Sequence, residues 1–584
     1  MLSSIGDWVI PLDGTSLPDK NVIGGKAWSI ARMRGLGLSV PPAFVITTMA
    51  CKAYFERGGL TEELERQIAA GVEWLERVSG RTLGAGPSPL LVSVRSGASI
   101  SMPGMMDTVL NLGITAETEK LLAAECKSPV FAHDTHRRFL DLYANIVMKT
   151  PSLDLSGNGS PAAWHGAIRA ATGNDVPENV FEQLRATVVA VFDSWNSRRA
   201  KRYRAHHGIA EDLGTAVTIQ AMVFGNRDER SGTGVLFSRN PLTGDREPYG
   251  EYLPRAQGED IVSGKHTPQP LSAMQRDNPR AFEELLRAAE KLEQAGRDVQ
   301  DIEFTIESGK LYLLQTRTAK RAPQAAAHIA VDMANEGLID PAEALARVSS
   351  EQIRTLLRPR LADDAGISAD LLAKGEGASP GVGCGIVVAD PDEAERRAQA
   401  GEQVVLARVT TSPNDLHGMI AASAILTEQG GSTSHAAVVG RALGKPCVVG
   451  CGSGTVETLV GRWVTVDGQA GAIYDGQLAV VAPDEEHDPV LRQLTHWARE
   501  RTRVKVEARG GADIAAMQFD QVDMGNRSEL AAAFKAVKPG ATVSGAIFAE
   551  NDEAVRDAIA AGASIIVTQP QLPALLAAIS AAPR

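Results

Sequence analysis

Cysteine is scarce in this chain. There are five in 584 residues (Cys51, Cys126, Cys384, Cys447, Cys451), an odd number with no CxxC pair. That pattern argues against a disulfide framework and for reduced thiols in a cytoplasm. Cys447 and Cys451 stand four apart, but no second ligand pair accompanies them, which removes a structural zinc site. Positive charge is also in short supply: 59 Lys and Arg face 71 Asp and Glu, for a net charge of -12. A duplex-binding protein carries the opposite balance, so nucleic acid is not an expected partner; an anionic nucleotide could still be held by local Arg, Lys and Mg²⁺. No apolar run approaches the roughly 18 residues of a membrane span. The start, MLSSIGDWVIPLDG, lacks the basic and apolar segments of a secretory leader. The expectation is a cytoplasmic protein without membrane association. What remains is an ordinary globular composition, 44% hydrophobic and 22% charged, in a chain long enough for several domains.

The most informative stretch runs from Thr427 to Gly452, TEQGGSTSHAAVVGRALGKPCVVGCG. Gly430 and Gly431 permit a tight turn, and Thr433 or Ser434 can cap the helix that Ala436–Val439 begins. His435 then falls in the first helical turn, where free N–H groups and the helix dipole favour negative charge. An imidazole placed there is suited to carrying a phosphoryl group. The bland alternative is a histidine that only satisfies a helix end.

The amino-terminal half holds further candidates. In NVIGGKAWSIARMRGLGLSVPPAFVITTMA (21–50) a Gly-Gly-Lys turn leads into an amphipathic helix and then a strand after Pro41-Pro42. Lys26 suits a phosphate contact, although GGK lacks P-loop spacing and such lysines are often solvated. In LLVSVRSGASISMPGMMDTVLNLG (90–113) a buried strand ends at Arg95 before a Gly/Ser/Met-rich loop from Ser96 to Met106. Arg95 could clamp phosphate or make a structural ion pair. Residues 131–148 read as a helix bearing Arg137 and Arg138, residues 150–180 as loop, and Phe192 to Tyr203 as one helix. Gly232 and Gly234 flank a turn that could close over a nucleotide, and Glu259 could hold a ribose hydroxyl or merely sit in a surface turn. In QDIEFTIESGKLYLLQTRT (300–318) two alternating runs meet at Ser308-Gly309. A three-residue loop puts Glu303 opposite Gln315 and Asp301 opposite Arg317, which gathers oxygen ligands and a cation on one face. A two-residue loop puts them on opposite faces.

These strings resemble the phosphoenolpyruvate-utilising enzymes of the pyruvate, phosphate dikinase type, over about residues 1–480. In that family the histidine matching His435 shuttles phosphate between distant sites. The resemblance implies an α/β and α+β multidomain fold: an ATP-grasp-like nucleotide-binding region over 1–325, a helical linker over 326–376, a swivelling phosphohistidine domain over 377–485, and a short α/β tail over 486–584. Lys26, Arg95, Glu259, Asp301 and Arg317 would bind ATP, Glu303 and Gln315 would hold Mg²⁺, and Thr433 matches a position phosphorylated for control in plant relatives. Arg137 and Arg138 resemble arginines near the family's phosphate site, though such a pair is usually surface. Family members more often have Met at Ser432 and Ala at Gly440. The tail reads as one or two βαβ units, with strands at VKVEA (504–508), TVSGAIFA (542–549) and SIIVT (564–568) and a helix at EAVRDAIAAG (553–562). That is too little for the pyruvate-binding barrel of roughly 250 residues. The implied reaction uses ATP and inorganic phosphate to phosphorylate His435, giving AMP and pyrophosphate. Onward transfer to pyruvate, the phosphoenolpyruvate-forming step, or to another acceptor would need a separate protein. A phosphotransferase for a different small molecule and a non-catalytic regulatory paralogue are the alternatives.

Overall fold

The computed structural model describes residues 5–100, 102, 108–150, 153, 155, 159–262, 266–357, 360–361, 369–481, 485–508, 516–519 and 527–581. Two antiparallel five-stranded sheets carry the chain as far as Thr318. The first runs Val9–Pro11, Ala43–Ile46, Ala216–Ala221, Val92–Gly97, Thr108–Leu112. The second runs Gln269–Pro270, Tyr249–Pro254, Gly232–Phe237, Gln300–Glu307, Lys310–Thr318. Period-two patterning decides which face of the second sheet is covered: Ile302, Phe304 and Ile306 are fully buried with Leu285 and Leu292 of the helix Pro279–Gly296. Each such Leu or Ile contributes roughly 1.5–3 kcal/mol by leaving water. The opposite face carries Asp301, Glu303 and their neighbours.

After the second sheet come the helices Pro323–Asn335, Pro341–Ala346 and Ser350–Leu356, with the breaks expected at Gly337 and Pro341. Their apolar sides join those of the tail helices Pro489–Arg501 and Leu572–Ala581, together with Phe237 of the second sheet, in one hydrophobic cluster. The span 371–475 forms an eight-stranded mixed sheet. At its centre Val382–Val388, Val404–Arg408, Ala424–Thr427 and Cys447–Val449 run parallel, and the helix His435–Leu443 crosses between the last two. Such a crossover places the helix start at the carboxyl ends of the strands, where βαβ units present ligand-binding loops. The chain enters and leaves this unit through a two-stranded antiparallel ribbon, Arg360–Leu361 with Val480–Val481. In the tail, four short parallel strands are ordered Lys505–Glu507, Ile565–Val567, Thr542–Ser544, Met517–Gln518. Among the described residues no helix is long and apolar enough to cross a membrane.

Several local expectations are corrected. Residues 161–172 are not loop: Ser160 caps a helix Pro161–Thr172 whose Trp164 and Ile168 turn inward one turn apart. The helix expected from Phe192 to Tyr203 is two, Val180–Ser194 and Arg198–His207, because Ser197 caps a new start. The strand at Arg95 continues to Gly97. The run TVSGAIFA is strand only to Ser544 and then a single helical turn, Ile547–Glu550. Gly232 and Gly234 do not flank a turn; they lie within the fully buried strand Gly232–Phe237. A Cβ on Gly234 would fall 2.3 Å from Cζ of Phe304, and one on Gly232 would fall 2.4 Å from Cε2 of Tyr252, so the glycines make room for two rings. The Met-rich loop is described only at Ser96–Ile100 and Met102, and the rest of it lies outside the described residues.

Candidate active site

The hairpin 300–318 settles its register by an unanticipated route. Its loop holds two residues, with Glu307 paired to Lys310. A single bulge at Leu314 then shifts the pairing, so that Glu303 faces Gln315 and Asp301 faces Arg317. Arg317 Nε donates to Asp301 Oδ2 at 2.6 Å, and Asp301 first, with Glu303 adding to it, pulls the guanidinium above its ordinary range against the cost of burial. The other carboxylate oxygen, Asp301 Oδ1, is buried without a hydrogen-bond partner among the described residues.

Two elements of the other lobe reach this face. In the helix Lys20–Gly35 the backbone leaves helical geometry at Gly24, φ +76°. A Cβ there would lie 2.0 Å from the carbonyl oxygen of Gly97, and Gly25 N–H donates to Ala98 O at 2.9 Å. Only glycine allows that approach, which sets Lys26 beside the Arg95 strand. Burial first, then Arg95 and Arg317, bring Lys26 down to about 7, with Glu303 pulling the other way. Arg95 Nη2 donates to Gln315 Oε1 at 3.2 Å and approaches Glu303 Oε2 at 3.4 Å. Lys26, Arg95, Asp301, Glu303, Gln315 and Arg317 therefore converge.

Glu259 stands apart from that cluster of contacts. It is the second residue of the short helix Gly258–Val262 and accepts from Arg138 Nη1 at 3.0 Å, and the same nitrogen donates to Asp260 at 2.8 Å. Burial raises the Glu259 carboxyl despite Arg138. Arg138 is thus a tethered side chain rather than free surface, with Asp134 as a further partner at 2.8 Å.

Glu303 and Gln315 supply the hard oxygen donors that Mg²⁺ prefers, and buried Asp301 Oδ1 is an additional acceptor beside them. The described residues contain no cage of three or more His, Cys, Asp or Glu for a metal ion.

His435 is the first residue of its helix, with Ser434 at the cap position. Neither expected hydroxyl caps it. Ser434 makes no capping bond and its Oγ is buried and unpartnered among the described residues. Thr433, which is also buried, donates to Glu251 instead. His435 Nδ1 lies 3.1 Å from Thr411 Oγ1. Burial lowers the imidazole's proton affinity, with Asp415 opposing, so the ring is held toward its neutral form.

The loop before His435 is seated on the second sheet. Ser432 Oγ donates to Glu251 Oε1 at 2.7 Å, Ser432 N–H to Glu376 Oε2 at 3.1 Å, and the Tyr249 hydroxyl to Glu376 Oε1 at 2.6 Å. Glu251 and Tyr249 belong to the strand Tyr249–Pro254. Cross-strand register runs Glu251–Val235–Glu303–Gln315 in one row and Tyr249–Phe237–Asp301–Arg317 in the next. Directly opposed residues share a face. The histidine loop therefore docks on the same face as the carboxylate–amide pair, two strand spacings or roughly 10 Å from Glu303. Tyr249, Glu251, Glu376, Thr411 and Arg441 were not singled out from sequence. Only the alternation in PYGEYLP hinted at a strand there.

Comparison with known proteins supplies the family. The family model for the pyruvate phosphate dikinase AMP/ATP-binding domain matches residues 20–82, 72–280 and 273–338, and that for the mobile domain of PEP-utilising enzymes matches 400–471. The chain belongs to the pyruvate, phosphate dikinase family. It is 39% identical over 554 residues to the pyruvate, phosphate dikinase of Clostridium symbiosum, covering 89% of this chain and 63% of that one. It is 41% identical over 550 residues to that of Rhizobium meliloti (strain 1021), 86% of this chain and 61% of the relative. With the chloroplastic pyruvate, phosphate dikinase 1 of Zea mays the identity is 41% over 524 residues, 84% and 55%. The chain thus spans between about half and two thirds of the length of these relatives.

Proposed function

We propose that this chain performs the ATP side of a dikinase reaction: ATP, with inorganic phosphate as co-substrate, phosphorylates His435 and yields AMP and pyrophosphate. The reading rests on the continuous row from Glu251, which holds the histidine loop, to Glu303 and Gln315 on the same sheet face. Lys26, Arg95 and Arg317 take the phosphates, with Asp301 orienting Arg317, and Glu259 serves the ribose end beside Arg138. Glu303 and Gln315 hold Mg²⁺, which when bound neutralises phosphate charge. Phosphoryl transfer asks chiefly for alignment and charge neutralisation, and these side chains supply both. With Thr411 Oγ accepting from Nδ1–H, the Nε2 lone pair of neutral His435 is the attacking atom. Control at Thr433 follows from the same seat, since a phosphoryl group there would oppose the Glu251 carboxylate.

In this reading residues 1–325 form the ATP-grasp-like nucleotide unit, 326–376 the linker, 377–485 the swivelling unit and 486–584 an α/β tail. Phosphate leaves His435 for pyruvate or another acceptor when the unit swings away, wherever in the same or a separate protein that acceptor site lies. The test is incubation with Mg²⁺ and ATP labelled at the β-phosphate. Acid-labile label that needs inorganic phosphate and vanishes in His435→Ala is expected. Label that survives in His435→Ala, or none in wild type, rejects the reading.

A further inference from the structure

Resting on that reading, we propose that Arg441 is a positioning residue: it crosses from the histidine unit to share Asp301 with Arg317, so that docking of His435 is coupled to the phosphate clamp. Arg441 lies in the second turn of the His435 helix and is 2% exposed. Two of its nitrogens are committed to its own unit, Nη1 to Ala378 O and Nη2 to Ser432 O, each at 2.9 Å. Its guanidinium carbon stands 5.9 Å from the ring centroid of Phe237, on the nucleotide sheet. Phe237 is flanked in its row by Tyr249 on one side and Asp301 on the other.

Two buried groups of opposite character are left over at this junction. Arg441 Nε–H has no acceptor among the described residues, and Asp301 Oδ1 has no donor. An unpaired buried donor and an unpaired buried acceptor each carry a desolvation cost that pairing would recover. Bracing of the loop accounts for Nη1 and Nη2 but leaves Nε idle. An Nε–H pointed at Oδ1, directly or through one water, uses both groups. Asp301 then holds Arg317 through Oδ2 and Arg441 through Oδ1. A clamp arginine drawn onto phosphate and a docked histidine helix are felt by one carboxylate.

The experiment is a double-mutant cycle on ATP-dependent labelling of His435 in the full chain, using Arg441→Gln and Arg441→Lys against Asp301→Asn. We expect Arg441→Gln to lower kcat for labelling by roughly a hundredfold with KM for ATP within about twofold, since its terminal nitrogens are committed to its own unit and it would act on the phosphate clamp only through Asp301. Arg441→Lys, which keeps the charge, recovers part of the loss. In the Asp301→Asn background the loss on removing Arg441 shrinks by roughly tenfold, the signature of a coupled pair. Phosphoramidate, which phosphorylates imidazole without docking, should label the variants as fast as wild type. Equal losses in both backgrounds, or a parallel loss of phosphoramidate labelling, would mean that Arg441 only braces the loop and would overturn the proposal. If Arg441→Gln fails to fold, the Arg441→Lys cycle decides by the same criterion. No ATP-dependent label in wild type would sink the functional reading itself, a different failure.

Discussion

In the proposed reaction the Glu303 sheet face and the histidine loop would handle phosphate by opposite means. Around Glu303 the side chains are charged and interlocked: Lys26, Arg95, Asp301 and Arg317 stand within one field. Around His435 the contact to the ring is a hydroxyl, Thr411 at Nδ1, while the charged groups stand one step back: Asp415 opposes the effect of burial on the imidazole, and Glu251 holds Ser432 and Thr433. Fixed charge suits the place where a polyanion must be gathered and aligned. A carrier that has to let go is better served by a neutral ring with little charge to abandon. On the proposed function, capture would reside in the sheet and release in the loop.

The sharpest challenge to that division is at Glu303, proposed with Gln315 to hold Mg²⁺. Glu303→Gln should lower ATP-dependent labelling by roughly a thousandfold while leaving phosphoramidate labelling of His435 intact, because a charge stabiliser is lost only on the capture side. Comparable loss in both assays would erase the distinction. Next is Gly234→Ala, which drives a methyl into the Phe304 ring and should cost about 1–3 kcal/mol of stability in denaturant titration. Stability within error of wild type would show that the sheet face can yield and is not the fixed partner.

Lys26 tests the charge side more finely. Below pH 7 its amine is already protonated in the free site, so ATP binding there, as proposed, should take up no proton. Above 7 the free amine is neutral and incoming phosphates restore its charge, so proton uptake weakens affinity as pH rises, by up to about tenfold per unit. Calorimetry in buffers of different ionisation enthalpy should show this uptake at pH 8, and Lys26→Gln should abolish it. The smallest effect belongs to the loop: Thr411→Val frees the Nδ1 partner and should slow labelling roughly threefold to tenfold with KM for ATP unchanged. A thousandfold loss there would make the loop as demanding as the sheet.

Much of the capture side could be read from sequence because its signals are local. Alternation around Ile302, Phe304 and Ile306 marked one strand, and GGK and TSHAA marked two helix starts. The bulge escaped notice, yet the doublet Leu313-Leu314, which breaks the alternation, was its trace. Gly232 and Gly234 misled because a glycine that opens a turn and one that clears space for a ring look alike in one dimension. Glu251 and Arg441 were illegible for another reason. Glu251 meets Ser432 across 181 positions, and no periodicity within either segment encodes such a meeting. Helix 161–172 was lost to its composition, where Gly, Ser and Pro nearby outweighed a spaced Trp and Ile.

One consequence follows from the two-residue tip and the lone extra residue at Leu314. Parity, rather than length, governs what this hairpin tolerates. Adding or removing one amino acid between tip and bulge would turn Gln315 inward and bring Thr316, now buried opposite Ile302, outward in its place, whereas a change of two would slide Gln315 along the strand yet keep it outward. Natural or engineered variants should therefore differ there in even steps, or lose the kink and an odd residue together.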